Sequence, residues 1–156
     1  MSDTLIAYFS RADENYFGGA IRYVKKGNTE IVCEKIKELM DADTFRIEMK
    51  NPYSPVYLNC IEEAKKDLME NARPELTRIP ESIDNYSTII LAYPNYWGTI
   101  PMAVATFLES FDFSEKIITL FPFSSSSRIY VSTSFISLSN SVFTNPPKNL
   151  ESLFKT

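Results

Sequence analysis

Ile89-Ile90-Leu91-Ala92-Tyr93-Pro94-Asn95-Tyr96-Trp97-Gly98-Thr99-Ile100-Pro101-Met102 is the stretch that decides the fold. An unbroken apolar run stops at Pro94, an amide, two aromatic rings and a glycine follow, and Pro101 sits where a new helical pattern begins. A short continuous apolar run reads as a strand buried on both faces, as in a parallel sheet covered by helices. Proline at a first helical position fits the helix that follows. In an open α/β sheet, ligands bind outside the carboxyl ends of the strands. Pro94, Asn95, Tyr96, Trp97 and Gly98 are therefore candidate contacts for a flat heteroaromatic ring. The alternative is a turn whose aromatics cap the core.

Working outward, Thr4–Phe9 and Lys116–Phe121 are similar apolar runs and read as interior strands. Asp43–Glu48 alternates, with Phe45 and Ile47 set against Thr44, Arg46 and Glu48, and reads as an edge strand. Helical patterns lie between them. Asn28–Met40 has Ile31, Val32, Ile36, Leu39 and Met40 on its apolar face, and Tyr57–Asn71 has Tyr57, Cys60, Ile61, Ala64 and Leu68. Pro101–Ser110 forms the third. Strands alternating with helices imply right-handed crossovers and an α/β, doubly wound parallel sheet with helices on both faces. With the second strand at an edge, the order is 2-1-3-4-5, whose switch point lies between the first and third strands. The loops after Ser10 and after Pro94 then meet in space.

The first of those loops is long. Residues 11–26 separate Ser10 from Gly27-Asn28-Thr29-Glu30, where Asn28 or Thr29 is expected to cap a helix. A helix N-terminus after a strand offers free amides and the positive end of a dipole to an anion. Ser10 and Thr29 add hydroxyls, and Arg11 or the Lys25-Lys26 pair adds charge. The Gly-Lys-Ser/Thr ending of a P-loop and the glycine-rich dinucleotide fingerprint are both absent, so a single phosphate fits best. Phosphate at one loop and a flat ring at the other describe a mononucleotide, with FMN the natural candidate.

Composition narrows the function further. The chain has 156 residues, enough for one domain with a real core, and 44% of them are hydrophobic. There is no histidine, which removes His-based triads and His metal sites. Cys33 and Cys60 fit no metal or redox spacing and read as small buried hydrophobes. A net charge of −4 argues against nucleic acid and permits docking to a basic protein surface. No apolar run reaches the roughly 20 residues that span a bilayer. The N-terminus has no basic region before its apolar run, so no signal peptide and a cytoplasmic location are expected. Glu62, Glu63, Asp67 and Glu70 interleave with Lys65 and Lys66 and read as a solvated helix face.

With Leu-Ile-Ala-Tyr-Phe-Ser-Arg at 5–11, Gly-Asn-Thr-Glu at 27–30 and Tyr-Pro-Asn-Tyr-Trp-Gly at 93–98, the chain resembles the flavodoxin family over about residues 4–121. The resemblance implies a flavodoxin-like fold, non-covalent FMN, electron transfer and a redox partner protein, either a reductase or an acceptor. It implies that Ser10, Arg11, Asn28 and Thr29 hold the phosphate. Pro94, Asn95, Tyr96, Trp97 and Gly98 would border the isoalloxazine, with Gly98 near its N5 edge. Tyr53, in Asn51-Pro52-Tyr53-Ser54-Pro55, also matches this branch. Some relatives are NAD(P)H-dependent FMN oxidoreductases acting on quinones, which is the alternative activity.

The resemblance breaks after Phe121. Family members carry a glycine-rich loop there, whereas this chain has Pro122-Phe123-Ser124-Ser125-Ser126-Ser127-Arg128 and no glycine after Gly98. Residues 122–156 are an atypical tail of the single domain. Ile129–Leu138 reads as an irregular β-prone run, Asn145-Pro146-Pro147 as a break and Leu150–Phe154 as one helical turn. The step in composition suggests a reading-frame disruption near residues 120–124, or divergence in which the tail supplies the fifth strand by other means. A flavin-free remnant is the third functional expectation.

Overall fold

In a computed structural model, residues 2–123 and 132–134 are described. Along the chain lie β1 (Thr4–Tyr8), β2 (Asp13–Phe17), β3 (Ala20–Val24), α1 (Asn28–Leu39), β4 (Asp43–Arg46), α2 (Tyr57–Met69), β5 (Thr88–Pro94), α3 (Met102–Glu109), β6 (Ile117–Phe123) and β7 (Ser132–Ser134). One sheet has the order β4-β1-β5-β6-β7. β4, β1, β5 and β6 run parallel, as the expected order requires, with Leu5 opposite Ile89 and Ile89 opposite Ile118. β4 pairs with β1 alone among the described strands and is the edge.

The fifth position differs from a fully parallel sheet. β7, inside the β-prone run 129–138, lies antiparallel to β6. Residues 124–131 are too few for a parallel crossover, which needs roughly a dozen residues or more. The break at 145–147, the turn at 150–154 and the origin of the tail lie outside the described residues.

Alternation along the strands sorts two cores. Leu5, Ala7 and Phe9, with Ile89, Leu91 and Tyr93, face the cluster built on Ala103, Val104, Phe107 and Leu108 of α3. Ile6, Ile90 and Ala92 face the opposite way, against Cys33 of α1. Helices therefore cover both faces. Both cysteines are buried. The α1 face needs correction: Thr29 and Cys33 are buried, Val32 and Ile36 half-buried, and Ile31, Leu39 and Met40 exposed. Leu39 is 87% exposed. The buried stripe follows positions 29, 33 and 36, and small Thr29 and Cys33 let the helix sit close to the sheet.

Residues 11–26, read as an extended loop, contain the antiparallel hairpin β2–β3. Gly18 and Gly19 form its turn, both with positive φ (59° and 81°), as the tight hairpin turns require. The hairpin is latched at its base. Arg11 donates from its guanidinium to the carbonyls of Glu14, Ser54 (2.6 Å) and Pro55 (2.9 Å). Glu14 Oε2 accepts the Tyr57 amide at 2.9 Å, a carboxylate at the first turn of α2, where the helix dipole favours it. Tyr16 stacks on Tyr57 with ring centroids 6.1 Å apart.

Candidate functional site

A cleft of about 620 Å³ opens at the carboxyl ends of β1 and β5, the switch point of the sheet. Ser10, Arg11, Asn28 and Thr29 line one end, and Pro94, Asn95, Tyr96 and Trp97 line another part. Eight of the nine expected site residues thus share one cavity. Gly98 lies outside its lining.

At the first end, Gly27 rather than Asn28 or Thr29 is the N-cap, and no side chain of the cap itself bonds to the helix. The capping bond comes from β1's end: Ser10 Oγ accepts the Glu30 amide at 3.2 Å. A Cβ on Gly27 would lie 2.2 Å from Ser10 Oγ and 2.5 Å from the Arg11 carbonyl oxygen. Only glycine lets the helix start this close to the strand end. The amides of Asn28 and Thr29, at the first two helical positions, have no intrahelical acceptor. Glu30 is paired with Arg46 at 3.2 Å, which offsets its charge beside these donors.

Arg11 lines the cleft, yet its terminal N–H groups already meet three carbonyls. Among the described residues its Nε is buried without a hydrogen-bond partner. Its first task is therefore to fasten the hairpin to the segment before α2. Lys26 meets Glu34 at 2.6 Å, on the exposed side of the helix.

At the ring end, residues 96–99 form a tight turn. The Tyr96 and Thr99 amides each donate to the other's carbonyl at 3.0 Å, and Trp97 and Gly98 have φ of 53° and 81°. Positive φ at both central residues is the type I′ pattern, strained for a bulky tryptophan. The two aromatics divide their work. Tyr96 packs edge-to-face on Phe9, centroids 6.1 Å apart, against the larger core. Trp97 stays 50% exposed and reaches across to α2, where its Nε1 donates to the Ile61 carbonyl at 2.9 Å. Asn95 is tied down through its amide, which donates to the Phe123 carbonyl at 2.7 Å.

Beneath the cleft, burial pushes the Tyr96 hydroxyl and the Cys60 thiol upward, and the nearby Arg11 charge pulls both partly back. Both stay neutral at pH 7. Tyr53 has a structural part: its hydroxyl donates to Asp67 Oδ2 at 2.6 Å, binding segment 51–55 to α2, and burial raises its pKa. Of the acidic helix face, Glu62, Glu63 and Glu70 are exposed.

Sequence reasoning missed a whole wall of the cleft: Asn15, Tyr16, Phe17 and Gly18 of the hairpin, facing Tyr57, Cys60 and Ile61 of α2. The signal was present in Gly18-Gly19, set between the β-prone runs Asn-Tyr-Phe and Ala-Ile-Arg-Tyr-Val.

A family model described as Flavodoxin matches residues 20–145, past the composition step after Phe121. No curated protein matches. A candidate flavoprotein from Bacteroides uniformis ATCC 8492 is similar in structure, with 27% identity, a TM-score of 0.60, and coverage of 80% of this chain and 73% of that one. A candidate flavoprotein from Bacteroides eggerthii DSM 20697 has 23% identity and a TM-score of 0.64, covering 80% and 72%. A flavoprotein in complex with FMN from Lactobacillus acidophilus NCFM has 18% identity and a TM-score of 0.60, covering 80% and 76%. With most of its length matched by that family model and its parallel strands in the order β4-β1-β5-β6, this chain belongs to the flavodoxin family.

Proposed function

We propose that the chain binds FMN in this cleft and serves as an electron-transfer protein. The observation that carries the reading is the convergence of the α1 N-terminus and the 94–97 turn on one cavity. The donor set suits a phosphate monoester. Two helix-start amides, the Ser10 hydroxyl and the dipole of α1 point to the same end of the cleft, and Gly27 lets the helix start close to the strand end. The positive end of the helix offsets phosphate charge there, since the Arg11 guanidinium is committed to carbonyls. Trp97 offers a half-exposed indole to a flat ring, held by α2.

Bound FMN would supply the one- and two-electron chemistry. The chain's residues bind, orient and shield. The Tyr16–Tyr57 pair and Phe17 keep water from one side of the cleft, and Tyr96 supports the turn from below. No side chain is required to move a proton. The FMN-bound relative from L. acidophilus supports the choice of cofactor. A redox partner protein completes the reading.

The test is to reduce the FMN-loaded protein without air and mix it with an electron-accepting protein such as cytochrome c. A carrier passes its electrons on, while the loaded protein alone oxidises NADPH no faster than free FMN does. Rapid NADPH oxidation by the protein alone would replace the carrier with an oxidoreductase.

A further inference from the structure

Trp97 is held more firmly than a half-exposed turn residue needs to be. Its φ of 53° is costly for a bulky side chain. One turn of α2 compensates from two sides. The Ile61 carbonyl accepts the indole N–H at 2.9 Å, and Lys65 Nζ lies 5.1 Å from the ring centroid. That distance is within the range of a cation–π contact, strongest with tryptophan. Among the described residues Lys65 makes no ion pair, whereas the adjacent Lys66 meets Glu70 at 4.0 Å. A lysine surrounded by Glu62, Glu63 and Asp67 in sequence thus turns its charge to an aromatic ring that lines the cleft.

We propose that Lys65 is a positioning residue for the ring-binding site: it fixes the indole of Trp97 and sets a positive charge behind it that favours reduced over oxidised flavin. The inference rests on the FMN reading above. Reduction adds two electrons and one proton to neutral, oxidised flavin and leaves one net negative charge on the ring at neutral pH. A ring stacked on Trp97 would lie about 10 Å from the Lys65 charge, about one Debye length at moderate salt. At an effective dielectric between those of a protein surface and water, that charge shifts the ratio of reduced to oxidised affinities by about fivefold.

The test compares wild type with Lys65→Met, which keeps the stem but removes the charge, and Lys65→Arg, which keeps the charge. Trp97 is the sole tryptophan, so its emission reports on the clamp without any flavin. Lys65→Met is expected to increase quenching of that emission by acrylamide. FMN affinity is then measured oxidised, and again after dithionite has supplied the electrons. Lys65→Met should weaken oxidised binding less than loss of the indole itself does, through the looser Trp97, and lower the reduced-to-oxidised ratio about fivefold. Lys65→Arg should restore the ratio, and 1 M salt should shrink the difference. An unchanged ratio in Lys65→Met, with wild type binding FMN normally, overturns the proposal and leaves the function standing. Failure of wild type to bind FMN overturns the flavin reading itself, and this inference with it.

Discussion

The Ser10 hydroxyl accepts the Glu30 amide at 3.2 Å, so a residue just past the first strand caps a helix that begins 18 residues further along the chain at Asn28. This one bond joins the two ends of the hairpin insertion and sets the helix start at the floor of the cleft. Ser10→Ala should cost about 1 kcal/mol of stability, the usual worth of a helix cap, and lower the melting temperature by about 3 °C. Thermal unfolding followed by circular dichroism checks it; an unchanged melting temperature would mean that the Ser10 bond adds nothing to the fold.

Gly27→Ala should be worse than Ser10→Ala. Its Cβ would press on Ser10 Oγ and the Arg11 backbone at once, and backbone cannot rotate away. A cost of about 1–3 kcal/mol follows from overpacking. On the proposed function, FMN affinity falls too, because the helix start must retreat from the strand end. The double variant Ser10→Ala/Gly27→Ala should recover part of the stability by removing one of the two clashes. Equal stability of Gly27→Ala and wild type in urea unfolding would show that the approach is looser than described.

Arg11→Met should release the hairpin. The guanidinium ties Glu14, Ser54 and Pro55 together, and hydrogen bonds from a charged group are worth about 1.5–3 kcal/mol each when partly buried. A two-stranded hairpin is marginal without such anchorage. The expected result is faster hydrogen exchange for the amides of 13–24 and new proteolytic cleavage near Gly18-Gly19, with the parallel sheet still protected. Unaltered exchange in that segment would assign the anchorage to Glu14 and the Tyr16–Tyr57 stack alone.

The parallel strands, their order and the turn at 94–98 were legible because buried strands, proline punctuation and a lone tryptophan leave strong marks in a sequence. Three things were not. The hairpin was hidden because Asp13, Glu14 and Asn15 dilute the alternation of β2 ahead of the Gly18-Gly19 turn. The inward face of α1 was misread because the close contact with the sheet is made by Thr29 and Cys33, which count little as hydrophobes, while larger Leu39 points outward. The capping residue was misplaced because Ser10 acts across 20 positions of sequence, a relation no local pattern carries.

Alkaline pH should destabilise the fold. Burial raises the Cys33 thiol to about 12, with Glu30 adding to it, and burial likewise raises the Tyr93 hydroxyl to about 12. Both folded values lie above the unfolded ones, so the native state holds protons that the unfolded chain releases. Their contribution is complete below the unfolded thiol pKa near 9 and is lost as pH rises towards 12. Stability should fall by about 1.4 kcal/mol per pH unit for each group within its window. Urea midpoints should hold from pH 7 to about 9 and decline from there to pH 11, less steeply in Cys33→Ala. Parallel profiles for the two proteins would remove Cys33 from the account.

The most direct test of the central claim is titration of the purified protein with FMN, read by quenching of flavin fluorescence. The account predicts saturable one-to-one binding, weakened by up to about tenfold in Trp97→Ala, the loss of one good stacking partner. A folded wild-type protein that leaves FMN fluorescence unchanged at high concentration would contradict it, and the cleft between Ser10 and Trp97 would then have lost the flavin.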